Sequence, residues 1–288
     1  MPIVPLSNRA SLVGPHEFYL LKILLNNSDS YELIPKDIIE EEIDLNPSQL
    51  DFYLSKLLKL KLIYHEKNLG KDSFKITFSG IDVLSIKKLY EMKILKSLST
   101  VIGEGKESVV YMGYDFDENP IVVKFHRIGK TSYKTLRRKK RTLQGRKSWV
   151  RLSIENAESE YNALACLWEN RAYVPRPLGL GVNAVAMEYI NGKPLFKTDL
   201  LEPSRVLDDI LSTIRISYVY CKLSHNDLSP YNVVMDTERN IPYVIDWPQA
   251  SRASEDSLEK DIRHILDFFR NKYDINREIN DTLSYIRD

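Results

Sequence analysis

At 288 residues, 43% hydrophobic and 28% charged, the chain has the composition of a soluble globular protein with room for about two domains. Lys and Arg number 41 against 40 Asp and Glu, so bulk charge excludes general polyanion binding, and any nucleic-acid affinity has to come from local patterning. Two cysteines, Cys166 and Cys221, exclude a disulfide framework and read as buried free thiols in a reducing compartment. The segment MPIVPLSNRA has Pro2 and Pro5 and no long apolar run, which excludes a signal peptide, and no stretch approaches the roughly 20 apolar residues of a membrane span. The expectation is a cytoplasmic protein without a membrane partner.

Residues 9–90 read mostly as helices. HEFYLLKILLNN places Phe18, Leu21, Leu24 and Leu25 at helical spacing. Pro35 suits the first turn of a short helix, PKDIIEEE, and Asn46 suits the cap of LNPSQLDFYLSKLLKLKLI, with Leu50, Leu54, Leu57 and Leu58 on one face. LIYHEK and SFKITF flank a turn at Gly70 and form a hairpin; Ser79 then caps GIDVLSIKKLYEMKIL. Three helices, a hairpin and a further helix is the order of a winged helix-turn-helix. Its third helix would turn Gln49, Tyr53, Lys56 and Lys59 outward, with Asp51 opposing phosphates; a nucleic-acid reader and a protein-docking unit both remain open.

Beyond residue 97 the pattern changes to strands. STVIGEGKESVVYMGYD reads as strand, glycine turn, strand, and NPIVVKFHRI as a third strand. NAESEYNALACLWEN is helical, PRPLGLGVNAVAMEYI supplies two strands, and PSRVLDDILSTIRISYVYC is a long amphipathic helix. NVVMD and YVIDW pair around TERN, and LEKDIRHILDFFRNKY has Leu258, Ile262, Ile265, Leu266 and Phe269 on one face.

Within this frame lie the pieces of phosphoryl-transfer chemistry. In GEGKES, Gly103 and Gly105 let main-chain amides approach phosphate oxygens, and Ser108 adds a hydroxyl. A plain glycine hairpin explains this loop alone equally well. Lys124, flanked by apolar residues in IVVKF, needs an anion to stay charged, and Glu160 on the following helix is the best candidate. Asp227 and Asn232 have the Asp-x-x-x-x-Asn spacing that lets a carboxylate meet an incoming hydroxyl while an amide oxygen faces a magnesium ion; Asp246 would be the second hard oxygen ligand. Turn-forming roles explain either loop residue but not the ordered set.

The departures are equally informative. Asn226 stands where regulated kinases carry an arginine, DWP replaces Asp-Phe-Gly, and 42 residues after Asp246 leave no room for an activation segment with a peptide-docking subdomain. From Asn119 to Ile154 there is no acidic residue, while Arg127 to Arg151 contains eleven Lys and Arg, a run suited to RNA phosphates, with Arg137, Arg138, Lys139, Lys140 and Arg141 at its centre.

With IGEGKES, Lys124, AESEY, MEYING, HNDLSPYN and IDWPQ, the chain resembles the RIO atypical protein kinases, in particular their second branch, which carries an N-terminal winged helix. The family's compact members without a long C-terminal tail look archaeal, and Trp247 stands where the family has Phe. The resemblance implies an α+β fold: a winged helix over 1–92 and a compact bilobal RIO kinase domain over 93–288, with lobes 93–190 and 191–288, lacking activation segment and peptide-docking helices. It implies ATP with Mg2+, or Mn2+ in its place. Gly103, Gly105, Lys106, Glu107, Ser108, Lys124 and Glu160 would hold the nucleotide, and Met187, Glu188 and Ile190 would face the adenine, with the backbone of the last two holding it. Asp227 and Lys124 would be catalytic, and Asn232 and Asp246 would hold the metal. The implied function is serine/threonine kinase or ATPase action in maturation of the small ribosomal subunit, with the pre-ribosomal particle and its rRNA as partners. The alternatives are a small-molecule phosphotransferase of the aminoglycoside or choline kinase type, and a nucleic-acid-binding protein with a vestigial kinase fold.

Overall fold

A computed structural model describes residues 5–68, 70–128 and 148–288. The chain divides into two compact units, residues 1–157 with 179–186 and residues 158–178 with 187–288.

The first unit opens with α1 (Leu6–Leu12), α2 (Pro15–Asn26), β1 (Ile34–Pro35), α3 (Lys36–Glu41), α4 (Pro47–Lys59), β2 (Ile63–Asn68), β3 (Lys71–Ile76) and α5 (Phe78–Glu91). This is the expected winged helix with one helix more: α1 has too short an apolar pattern to stand out, yet buries Leu6 and Ala10. Asn46 caps α4 as its sequence predicts, accepting from the Gln49 N–H at 2.9 Å while the Gln49 side chain accepts from the Asn46 N–H at 3.2 Å. The start of α5 differs from expectation. Thr77, not Ser79, is its cap, accepting from the Gly80 N–H at 3.2 Å, because the Thr77 N–H is itself bonded to Leu62 O at 3.0 Å. That docking brings the backbone so close that a Cβ on Gly80 would lie 2.3 Å from Leu62 O, so only glycine fits. β1, β3 and β2 form the antiparallel wing, with Ile63 opposite Ile76 and Ile34 opposite Phe74. Leu20, Leu21, Leu24, Ile39, Leu50, Leu54, Leu57 and Ile76 fill its core.

After α5 come β4 (Ser97–Glu104), β5 (Ser108–Tyr114), β6 (Pro120–His126), α6 (Trp149–Glu169), β7 (Pro177–Leu180) and β8 (Ala184–Glu188). The strands form one sheet in the order β4-β5-β6-β8-β7. The helix predicted from Asn156 starts earlier, at Trp149, whose ring packs on Phe78 at 4.4 Å.

The second unit contains β9 (Gly192–Pro194), α7 (Pro203–Val219), β10 (Leu223–Ser224), β11 (Val233–Asp236), β12 (Ile241–Val244), β13 (Ser251–Arg252), α8 (Glu255–Tyr273) and α9 (Ile279–Arg287). β11 and β12 pair as predicted, Val233 opposite Val244, with β9 on the outer side of β11. All five apolar residues predicted on one face of α8 are buried. A further helix, α9, follows; its Thr282, Leu283 and Ile286 are buried. The cysteines depart from the free-thiol reading: Cys166 on α6 and Cys221 just beyond α7 are joined in a disulfide across 55 residues, with Cα atoms 6.0 Å apart. Their proximity is a product of packing and has no signature in the sequence. Among the described residues, no helix is long and apolar enough to cross a membrane.

Candidate active site

The residues predicted to hold phosphates lie in the first unit. The loop between β4 and β5 is closed by the Gly105 N–H on Ser108 O at 2.9 Å. Neither Gly103 nor Gly105 has a positive φ, and a Cβ on either would meet its nearest neighbour at an ordinary 3.6 or 3.7 Å. The chain's own packing therefore does not demand these glycines; a ligand approaching the loop from outside would. Lys106 is exposed, and Glu107 and Ser108 are half-buried. Lys124 stands opposite Val110 in the β5–β6 ladder and is 7% exposed, between the buried side chains of Val123 and Phe125. An ammonium so far removed from water keeps its charge only beside an anion.

The second unit holds the carboxylates. Asp227 lies at the tip of a loop whose backbone is fixed from beneath by Asp261 of α8, a 1% exposed carboxylate. Asp261 Oδ2 accepts from the Asn226 N–H at 2.9 Å and Oδ1 from the Leu228 N–H at 3.2 Å, gripping both neighbours of Asp227. Asn226 adopts the left-handed conformation, φ 68°, which asparagine tolerates. Its side-chain amide donates to Gln249 O at 2.9 Å and Ser251 Oγ at 3.0 Å. The arginine position of regulated kinases thus ties the loop to the segment after Asp246.

Continuing the β11–β12 register by one pair, the Ile245 N–H donates to Asn232 O at 2.9 Å, which sets Asn232 opposite the residue before Asp246. Asn232 Nδ2 donates to Asp227 O at 2.8 Å, leaving its amide oxygen as an acceptor. Asp246, predicted to hold the metal, also has a left-handed conformation, φ 68°. Glu160, 1% exposed on α6, accepts from the Trp247 N–H at 3.2 Å, so this carboxylate orients the residue next to Asp246. Among the described residues, no group of three or more His, Cys, Asp and Glu could hold a metal. Asn232 and Asp246 offer two hard oxygens, a set that fits Mg2+, which takes its remaining ligands from phosphate and water.

Sequence reasoning saw His225 in the HNDLSPYN motif without giving it a role, and passed over Asp261. His225 is 1% exposed and packs against Trp247 at 4.5 Å; its Nδ1 faces the Asp227 N–H at 3.3 Å and its Nε2 the Ile245 carbonyl at 3.0 Å. Burial pushes the imidazole pKa below its ordinary value, against the pull of nearby carboxylates. Their signals were present: a histidine two residues before Asp227, and an aspartate on the apolar face of α8.

Glu188 spends its N–H on Arg176 O at 2.9 Å, so the main-chain group it can offer an adenine is its carbonyl; Met187 is buried and Ile190 half-buried. Arg137, Arg138, Lys139, Lys140 and Arg141 lie outside the described residues. On α4 of the winged domain, Lys56 is paired with the buried Glu17, Asp51 with Lys36 at 2.6 Å, and Tyr53 stacks on His16 at 4.9 Å.

The family model for the RIO domain matches residues 109–282, and that for the Rio2 N-terminal domain matches residues 11–92. The serine/threonine-protein kinase rio2 of Dictyostelium discoideum is 30% identical over 251 residues, 85% of this chain and 48% of the relative. RIO2 of Saccharomyces cerevisiae is 29% identical over 270 residues, 89% of this chain and 63% of the relative. The RIO-type serine/threonine-protein kinase Rio2 of Methanocaldococcus jannaschii is 26% identical over 264 residues, 86% of this chain and 93% of the relative. The chain spans about half the length of the Dictyostelium and Caenorhabditis elegans relatives, 48% and 51%. The crystal structure of the Chaetomium thermophilum Rio2 kinase-ADP/Mg2+-phosphoaspartate complex has the same fold, with a TM-score of 0.80 at 22% identity over 96% of this chain and 88% of that chain. The chain belongs to the RIO family and begins with a Rio2-type N-terminal winged-helix domain.

Proposed function

We propose that the chain is a magnesium-dependent ATP phosphotransferase, a serine/threonine kinase or ATPase switch, acting in the cytoplasm on pre-ribosomal small-subunit particles. The observation that carries this reading is the hairpin hydrogen bond that sets Asn232 opposite Ile245, the residue before Asp246, with Asn232 also bonded to the backbone of Asp227. Asp227 would accept the proton of an incoming hydroxyl, and Lys124 and the Gly103–Ser108 loop would hold phosphates. Bound magnesium would neutralise phosphate charge as it develops. The Rio2-type N-terminal domain favours this reading over a small-molecule phosphotransferase. RNA binding through the basic segment, and Mn2+ in place of Mg2+, belong to the same proposal.

The related Chaetomium structure is named as a phosphoaspartate complex. We propose the same chemistry at Asp246: a carboxylate oxygen attacks the γ-phosphorus, the bond to the bridging oxygen breaks, and ADP leaves with that electron pair. Water then hydrolyses the acyl phosphate to inorganic phosphate and restores the carboxylate. Among the described residues of the second unit, the helices after Asp246 are α8 and α9, a small surface on which to orient a peptide. Radiolabelled ATP offered with generic peptides should give hydrolysis or self-labelling and little peptide phosphorylation. Efficient peptide turnover, at the roughly 1–100 per second usual for kinases, would refute the switch.

A further inference from the structure

Away from the carboxylates, buried polar groups concentrate where α5 of the winged helix meets the sheet, entirely within the first unit. Asp82, Ser85 and Asn183 have no exposed surface. Ser85 donates to Asn183 Oδ1 at 2.8 Å and accepts from the N–H groups of Val182 at 2.9 Å and Asn183 at 3.0 Å. Asn183 Nδ2 donates to Asp82 Oδ1 at 2.9 Å and to His126 O at 2.8 Å. The other Asp82 oxygen receives the Arg127 guanidinium at 2.5 Å.

A helix can be held on a sheet by apolar contacts alone, and a buried ion pair adds little net stability over them. What this network does, and an apolar contact cannot, is fix one residue in one place. Burial pushes the Asp82 carboxyl up, while Arg127 and the Asn183 amide pull it back. Among the described residues, Arg127 Nε is buried without a hydrogen-bond partner.

The main chain of the anchored residue has a second task. The β5–β6 ladder ends with Ser108 opposite His126; one step further, the Arg127 N–H donates to Glu107 O at 2.7 Å. Glu107 lies in the glycine loop, next to Ser108, whose carbonyl closes the turn with Gly105. One side of the loop is therefore pinned by a residue whose side chain is locked onto the winged helix.

We propose that Arg127 is a positioning residue for the nucleotide phosphates, held by Asp82 of α5, so that the winged helix sets the conformation of the Gly103–Ser108 loop. This rests on reading that loop as the phosphate cradle. The network also lets a partner that shifts α5 alter ATP binding without touching the nucleotide site.

The test compares ligands with and without phosphates on the full chain. Arg127→Met should weaken binding of MgATP by about tenfold, as loss of a charge-assisted anchor does, and leave adenosine within about twofold. Arg127→Lys, which keeps the ion pair, should recover most of the loss. Amide hydrogen exchange without nucleotide should speed up at Gly105–Ser108 in Arg127→Met and not in α2 or α4. Should that variant not fold, Asp82→Asn, which preserves shape, carries the same comparison. Equal weakening of both ligands, or unchanged loop exchange, would overturn the assignment. A wild-type chain that binds adenosine but gains nothing from phosphates would instead refute the phosphate cradle, and loop exchange would still decide whether Arg127 anchors the loop.

Discussion

The imidazole of His225 faces the Ile245 carbonyl through Nε2 at 3.0 Å and the Asp227 N–H through Nδ1 at 3.3 Å. Only the neutral tautomer with the proton on Nε2 satisfies both, donating to the carbonyl and accepting from the amide. One uncharged ring thereby joins the loop of Asp227 to the segment that leads from β12 into Asp246.

Stability should consequently fall on mild acidification. The folded-state pKa of His225 lies below its ordinary value near 6.5, so below that pH the unfolded chain binds a proton that the folded chain refuses. The contribution is complete above pH 6.5 and is lost as pH falls toward the folded-state pKa, at up to about 1.4 kcal/mol per pH unit. Urea unfolding at several values between about pH 5 and 7 should show this slope, and His225→Gln should flatten it.

Asp261→Asn tests the grip on the Asp227 loop. Its amide nitrogen would point at one of the two N–H donors, Asn226 or Leu228, setting donor against donor. The expected cost is about 2 kcal/mol, with a lower kcat and a smaller change in ATP affinity. A variant with wild-type stability and kcat would show that Asp261 does not organise the loop.

The Cys166–Cys221 bridge joins the helix of Glu160 to the segment leading into His225. Closing a loop across 55 residues restricts the unfolded chain by about 4 kcal/mol in the entropy model. Reduction, or Cys221→Ser, should lower the unfolding midpoint measurably. Identical denaturation curves with and without reductant would mean that the bridge contributes nothing.

Where chemistry and periodicity coincide, the fold is legible in the sequence. Asn46 announces its helix, the α8 face repeats at helical spacing, and Asp227, Asn232 and Asp246 stand in order on the expected elements. What stays hidden depends on tertiary proximity. Cys166 and Cys221 meet across 55 residues of chain; Thr77 displaces Ser79 as a cap because Leu62 holds its N–H. Asp82 and Arg127, 45 residues apart, find each other through a helix docked on a sheet. Short helices such as α1 carry too few apolar positions to rise above a loop.

The basic segment is tested through salt. Replacing Arg137, Arg138, Lys139, Lys140 and Arg141 with neutral residues should flatten the dependence of RNA affinity on salt, by about 0.7–0.9 in log–log slope for each phosphate no longer neutralised. An unchanged slope would show that these charges are only solvated.

The central claim, that Asn232 and Asp246 organise magnesium and ATP for phosphoryl transfer, is tested most directly by the turnover of Asp246→Asn. Asparagine accepts the left-handed backbone at this position, φ 68°, so the substitution removes charge while the local conformation is kept. With magnesium and saturating ATP, the account predicts wild-type unfolding behaviour and turnover lowered by about a hundredfold or more. Undiminished magnesium-dependent hydrolysis in that folded variant would contradict it.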